Sequence, residues 1–251
     1  MRTLIRAIPL ALAAALLVLF AIACTSDGGG GGSGDTARET SDDTAREISG
    51  EELAQMVLAL EDFGEPYAAF QALKSNGLSE TVEQRAKAEF DPADEAQDLE
   101  QFGWVLGYGA EFLDPKATGE GSSVYIVASV VDLFEDAAGA SGYFNDSLTE
   151  VSEMAGTTSQ GFTTHEVETF GADVGDESAG FDIQGSVEDV DGSTLDIWFS
   201  VLSFRHGRLV GTAVFATFEQ RSFEDEVKGL GSVMDQRITS VLAGAAVSDQ
   251  P

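Results

Sequence analysis

The segment "TLDIWFSVLSF", residues 194–204, limits the possible folds of this chain more than any other feature. Apolar side chains occupy both of its alternating faces: Leu195, Ile197, Phe199 and Val201 on one, and Trp198, Leu202 and Phe204 on the other. A strand that is apolar on both faces belongs in the middle of a sheet that is covered on each side. We expect helices on one side of this strand and, on the other, a concave pocket where a ligand would bind.

The surrounding patterns predict an α+β fold. Further strand-like segments lie at 104–113, 122–134, 162–170, 181–190 and 208–218. Turn-rich residues separate them, including Asp191-Gly192 and His206-Gly207. Each half of the chain then ends in an apolar stripe of helical spacing, at 137–155 and at 223–241. We therefore predict a curved antiparallel sheet of about six strands, in two hairpin-plus-helix halves packed with helices.

Helix-start signals predict the remaining helices. "SGEE" at 49–52 has the form of a capping box and precedes an apolar stripe. Ser222, followed by Asp225, would cap the last helix in a similar way. Polar helical stretches are predicted at 79–90 and at 93–102.

The N-terminal composition predicts export. Residues 1–23 combine Arg2 and Arg6 with an uncharged apolar run, the pattern of a signal peptide. An uncleaved membrane helix is the alternative, at the short limit for spanning a bilayer. Residues 24–48 hold five consecutive glycines and a repeated "DTARE", which predicts a disordered Gly-rich tether. Residues 49–247 would form a single α+β extracytoplasmic domain, and 248–251 a short tail.

The charge of the chain excludes one class of partner. The sequence has 44 acidic residues against 13 basic ones and a formal net charge of −31. Nucleic-acid binding needs clustered Lys and Arg, so no nucleic-acid partner is expected. The same charge favours solubility and low self-association, and we expect a monomer. A solvated acidic surface is the favoured interpretation, and divalent-cation binding is the alternative.

The sequence offers few catalytic candidates. The two histidines, His165 and His206, are interpreted as an exposed strand residue and a solvated turn residue. A Ser-His-Asp triad stays open, but no serine lies in a G-x-S-x-G elbow. No H-E-x-x-H, C-x-x-C or phosphate-binding glycine loop occurs. We therefore predict no enzymatic activity, no catalytic residue and no cofactor.

Two acidic segments are candidate metal sites. "EDVDGSTLD" at 188–196 resembles a calcium loop, but Val187 and Trp198 occupy its first and last ligand positions. A hairpin turn is the favoured interpretation. In "FGADVGDESAG", Asp173, Asp176 and Glu177 could converge on a cation, although an ordinary polar loop is favoured. No metal site is predicted.

Aromatic residues on the predicted strands could line an apolar pocket or belong to the core, and the core is favoured. They are Phe162, Phe170, Trp198, Phe199 and Phe204.

The only cysteine, Cys24, lies where the apolar run ends, in the motif "AIAC". This N-terminus resembles that of bacterial lipoproteins, although their third position before the cysteine is usually Leu, Val or Ile and here is Ala21. The resemblance implies a diacylglycerol thioether on Cys24 and attachment to the outer face of the bacterial cell membrane. Because "AIA" also fits ordinary signal cleavage, an unmodified N-terminal Cys24 is the alternative.

Short motifs in the domain carry a second resemblance. They are "MVLALEDFG" (56–64), "GDES" (175–178), "FRHGRLVGTAVF" (204–215) and "QRI" (236–238). These resemble exported domains of uncharacterised actinobacterial-type lipoproteins and extracytoplasmic sensor domains of bacterial serine/threonine kinases. The resemblance implies an α+β fold with a groove for a small ligand. We expect a lipid-anchored, non-catalytic binding domain for a small ligand or envelope partner. An envelope assembly accessory protein and an unrecognised hydrolase are the alternatives.

Overall fold

A single antiparallel sheet of nine strands organises the computed structural model, which describes residues 46–244 except 65–66, 68, 88–91, 114–124, 160 and 189–191. In chain order the strands are β1 Gln71–Ala72, β2 Gly77–Ser79, β3 Trp104–Leu113, β4 Tyr125–Phe134, β5 Thr158–Ser159, β6 Phe162–Phe170, β7 Glu177–Glu188, β8 Thr194–His206 and β9 Leu209–Thr217. Their order in the sheet is β1-β3-β4-β9-β8-β7-β6-β5, and β2 also pairs with β3.

The predicted number of about six strands is wrong, although the antiparallel sheet is confirmed. The six long strands match the six predicted segments. The additional strands β1, β2 and β5 have only two or three residues each. Such lengths are too short to show a period of two, so the sequence pattern could not reveal them.

Pairing of β4 with β9 joins the two halves of the chain. The register runs from Tyr125 opposite Thr217 to Leu133 opposite Leu209. The first half supplies the hairpin β3–β4. The second half supplies a meander of four long strands, β6 to β9, rather than a hairpin alone. Both halves therefore share one continuous sheet, with β8 and β9 near its middle.

The described residues form five α-helices and a short 3₁₀ turn at Leu60–Asp62. The helices are α1 Gly50–Met56, α2 Val82–Ala86, α3 Pro92–Gln101, α4 Ala137–Glu153 and α5 Glu224–Leu242. The helix predicted over 79–90 is wrong at its start, because Ser79 pairs with Gly107 as part of β2.

Two helix starts test the capping predictions. At α1 the capping box is confirmed: the Glu52 N–H donates to the Ser49 hydroxyl (3.3 Å), and the Ser49 N–H donates to the Glu52 carboxylate (2.9 Å). At α5 the predicted side-chain cap is wrong. Phe223 occupies the N-cap position, and the Ser222 hydroxyl instead accepts the N–H of Glu224 (3.1 Å).

Helices cover both faces of β8, which confirms its central position. On one face, Ile197, Phe199 and Val201 share a buried cluster with Val151 of α4. On the other face, Leu202 and Phe204 share a buried cluster with α5. We predicted helices on one face of β8 and a concave pocket on the other. For the middle of β8 this prediction of a pocket is wrong, because α5 covers the face opposite α4.

The segment "GADVGDESAG" is a loop only in part, because β7 begins at Glu177. Glu177 pairs with Arg205 of β8 across the sheet. Adjacent glycines and acids hide this strand start, since those residue types are more frequent in turns.

Several predicted features lie outside the described residues. They are the signal peptide 1–23, Cys24, the tether up to residue 45, and the tail 248–251. Ile48, the last residue of the predicted tether, is among the described residues and is buried in the cluster beneath α5. Within the described part of the chain, no helix combines the length and the apolar character needed to cross a bilayer.

Candidate functional site

A groove of about 190 Å³ opens on the α5 side of the sheet, beside the start of that helix. Strands β6, β7 and β8 form its floor, and residues 220–222 form its rim. We call it the Trp198 groove. Its lining residues are Glu166, Glu168, Asp182, Ile183, Gln184, Trp198, Phe199, Gln220, Arg221 and Ser222.

Strand register brings the polar floor residues together. Glu166, Gln184 and Trp198 lie opposite one another across β6, β7 and β8. Glu168 and Asp182 form the next row, which Ser200 completes. Because directly opposed residues of antiparallel strands point to the same face and neighbouring strands lie about 4.8 Å apart, these two rows make one surface.

The rim is held to the floor by Ser200. The backbone N–H of Phe223 donates to the Ser200 hydroxyl (2.9 Å), and that hydroxyl donates to the carboxylate of Asp182. The Phe223 ring stacks on Phe215 of β9, with ring centroids 4.3 Å apart. Loop and sheet are thereby joined by both a polar and an apolar contact, which fixes the shape of the groove.

The only cationic side chain that lines the groove, among the described residues, is Arg221, and its charge is already matched. Its guanidinium lies over the Phe223 ring, 3.8 Å from the centroid. It also forms ion pairs with Glu226 (3.2 Å) and Glu219 (3.4 Å). The charge of Arg221 is therefore offset by two carboxylates that lie outside the floor of the groove.

Several floor and rim groups have no internal partner. Within the described part of the chain, the exposed carboxylates of Glu166 and Glu168 form neither a hydrogen bond nor an ion pair, and the same holds for the amides of Gln184 and Gln220. The half-buried Trp198 likewise makes no hydrogen bond through its indole N–H to any residue described. The groove thus presents unused hydrogen-bonding capacity around an aromatic ring.

The two histidines lie apart, and each has one partner. His165 is exposed, as predicted, and its Nε2 lies 2.8 Å from the Ser186 hydroxyl. His206 is half-buried at the end of β8, and its Nδ1 lies 3.1 Å from a carboxylate oxygen of Asp235. The solvated-turn interpretation of His206 is therefore wrong, because α5 packs beside it. Among the described residues, neither histidine contacts both a serine and a carboxylate.

Acidic residues at the start of β7 form ion pairs with Arg205. Asp176 and Glu177 each form a 3.2 Å ion pair with Arg205, and Asp176 also accepts the N–H of Gly207 (2.8 Å). Asp173 is exposed and takes no part in these contacts. The three acids do not converge on a common point. The calcium-like segment 188–196 includes residues 189–191, which lie outside the described residues.

Of the five aromatic residues named from the sequence, three belong to the core. Phe162, Phe199 and Phe204 are buried, and the rings of Phe162 and Phe199 meet edge to face at 5.7 Å. Phe170 and Trp198 are half-buried. The core interpretation is therefore confirmed for the first three, and Trp198 is the half-buried aromatic residue of the groove.

A second acidic cluster joins α3 to α4. Carboxylate oxygens of Asp98, Asp146 and Glu150 all lie within 4.8 Å of one another and could share one divalent cation. Burial, together with the neighbouring carboxylates, raises the pKa of Glu150 to about 8 and that of Asp98 to about 6. Sequence reasoning missed this cluster because its members come from two helices whose packing no local motif reveals.

A solved structure is among the proteins that match this chain. No protein-family model matches the chain, and no curated protein matches it. The chain is similar to the extracellular domain of PknH from Mycobacterium tuberculosis, with 13% identity and a TM-score of 0.46 over 78% of this chain and 97% of that one. A likeness of this extent assigns neither a ligand nor an activity to this chain.

Proposed function

We propose that the chain is an exported, lipid-anchored domain that binds a small ligand in the Trp198 groove without catalysing a reaction. The observation that carries the proposal is the set of unpartnered polar side chains around a half-buried tryptophan. Ligand sites combine an aromatic or apolar surface with a few converging polar groups in this way.

The fold supports binding better than structural packing as the role of this surface. A buried polar network normally satisfies its own members, as Ser200, Asp182 and the Phe223 N–H do here. Gln184 and Trp198 lie directly beside that network, yet they hold no internal hydrogen bond in the described part of the chain. Solvent satisfies these half-buried groups in the free protein, and a bound ligand would replace that solvent as their partner.

The anchor part of the proposal rests on the sequence around Cys24. Two or three acyl chains on an N-terminal cysteine would hold the protein stably at a membrane. The glycine-rich tether after Cys24 would leave the acidic domain free of the bilayer surface.

Mass spectrometry of the mature N-terminus tests the anchor. The chain is expressed in a bacterium that processes lipoproteins and is extracted from its membranes with detergent. We expect an N-terminal Cys24 that carries a diacylglyceryl thioether, and a Cys24→Ser variant that is recovered without lipid. An unmodified thiol on Cys24 would refute the lipoprotein assignment.

Native mass spectrometry of the protein from its own source tests the binding role. We expect a small molecule to co-purify with the parent chain and to be lost from Trp198→Ala. Occupancy that is the same in Trp198→Ala would place binding elsewhere. If no small molecule is retained, an envelope accessory role that acts through the acidic surface becomes the better interpretation.

A further inference from the structure

We propose that the Trp198 groove selects a compact cationic ligand, in which a primary ammonium group is joined to an apolar or ring-shaped body. This inference deepens the proposed function and rests on it, since it names the ligand class of the same groove. It follows from the charge, the aromatic surface and the size of the groove.

Charge is the first argument. Glu166 and Glu168 of β6 and Asp182 of β7 approach the groove from adjacent strands, and Glu168 lies directly opposite Asp182. The Arg221 charge on the rim is matched by Glu219 and Glu226 outside the floor. An anion entering the groove would therefore meet repulsion, whereas an ammonium group would meet three carboxylates.

The carboxylates retain capacity for such a ligand. Asp182 accepts one hydrogen bond, from Ser200, and an ionised carboxylate can accept several. Glu166 and Glu168 accept none from the part of the chain that the structure describes. An ammonium group has three donors and no acceptor, which matches an acceptor-rich floor.

Trp198 supplies the apolar surface. It lies one strand beyond Gln184 in the row that begins at Glu166, so it lies beside the carboxylates on the same sheet face. An indole ring attracts cations and also offers a flat surface for an apolar body. The amides of Gln184 and Gln220 can hydrogen-bond polar substituents of that body.

Size limits the ligand to a small group. Sites for drug-sized ligands enclose about 300–1,000 Å³, and the groove encloses about 190 Å³. A single ring or a short alkyl chain with one amine fits this volume. The open side of the groove also permits such a group to be the end of a larger molecule.

The test titrates the purified full-length protein with three probes of one shape: cyclohexylamine, cyclohexanol and cyclohexanecarboxylate. Tryptophan fluorescence reports binding, because the chain has two tryptophans and the other, Trp104, is buried. We expect cyclohexylamine to bind about tenfold more tightly than cyclohexanol, a ratio typical of one charge-assisted contact. Cyclohexanecarboxylate should bind least, and added salt should weaken only the amine.

Variants of the groove residues test which side chains bind the probes. Glu166→Gln/Glu168→Gln should reduce the amine's affinity toward that of cyclohexanol. Trp198→Phe should weaken the amine and the alcohol together, and because this variant lacks the fluorescent reporter, its affinities and those of the parent are compared by isothermal titration calorimetry. Glu153→Gln, on exposed α4 surface across the sheet, removes a charge away from the groove and should change neither. Unchanged thermal melting would show that each variant is folded.

The outcomes separate the two proposals. If cyclohexanol binds as tightly as the amine and loses affinity in Trp198→Phe, the groove binds ligands but the cationic class is wrong. If the amine binds equally to the parent and to Glu166→Gln/Glu168→Gln, the cationic inference is also wrong. If no probe binds at any salt concentration, both the inference and the ligand-binding role of the groove are overturned.

Discussion

Ser200 donates its hydroxyl hydrogen to the carboxylate of Asp182, its directly opposed neighbour on β7. The same hydroxyl accepts the backbone N–H of Phe223, at the start of α5. One buried side chain therefore connects a groove carboxylate to the loop that forms the groove rim. The geometry of the candidate site depends on this contact as much as on the residues that face solvent.

Ser200→Ala should destabilise the protein and weaken ligand binding together. The substitution leaves the buried N–H of Phe223 and the Asp182 carboxylate without their shared partner. An unsatisfied buried group costs about 1–3 kcal/mol, and urea denaturation measures the loss. Ser203→Ala is the matched control, since Ser203 is on the same strand but faces away from the groove and bonds Thr212 (3.1 Å). Equal losses of probe affinity in the two variants would contradict the role of Ser200.

Much of the fold could be predicted because long elements carry a period. The two apolar faces of 194–204 identified the central strand, and the stripes in α4 and α5 identified the helices that cover it. The predictions that failed concern short elements, or residues whose secondary structure is determined by tertiary contacts. Ser79 sits in a polar, helix-like stretch, yet its pairing with Gly107 makes it part of a strand.

The groove was only partly predictable. The sequence indicates Trp198 as a pocket or core residue, whereas it does not mark Glu166, Glu168 and Asp182 as members of a site. Their proximity depends on the register between β6 and β7, which shifts at a bulge between Thr164 and Glu166. Alternation in a single strand does not specify which residues of the next strand lie opposite, so the site could not be assembled from the sequence.

Asp132→Asn should be strongly destabilising, because it breaks a buried ion pair. Asp132 accepts hydrogen bonds from Arg85 Nε (3.0 Å) and from the Trp104 indole N–H (2.8 Å), and Arg85 and Asp132 are 6% and 3% exposed. Replacing the Asp132 carboxylate by an amide breaks the buried ion pair with Arg85, which costs about 3–5 kcal/mol. Urea denaturation of Glu177→Gln, which removes one partner of the more exposed Arg205, should show a loss below about 1 kcal/mol. Similar losses of stability in Asp132→Asn and Glu177→Gln would contradict the prediction that burial sets the cost of breaking these ion pairs.

Glu150→Gln should make the protein more stable at pH 8 and nearly unchanged at pH 5. Burial raises the pKa of Glu150 from 4.5 to about 8, so the folded state retains a proton that the unfolded chain releases. Stability therefore falls as pH rises across that interval, and glutamine removes this dependence. The partly exposed site is screened, so we expect a gain on the order of 1–2 kcal/mol at pH 8. Glu100→Gln on α3 is the control. A gain in stability that is constant from pH 5 to pH 8 would contradict the raised pKa of Glu150.

Gly185→Ala should destabilise the protein because an aromatic ring covers this glycine. A Cβ added at Gly185 would lie 2.1 Å from the Phe162 ring, which the buried Phe199 also contacts from the side. Displacing that ring costs about 1–3 kcal/mol, as for other overpacked cores. Gly109→Ala on β3 is the matched control: its nearest atom would be Val130 Cγ2 at 3.9 Å, so the alanine fits and reduces unfolded-state entropy. Thermal melting should therefore fall for the first variant and hold or rise for the second. If both melt alike, the position of Phe162 over Gly185 is not a constraint on the sheet.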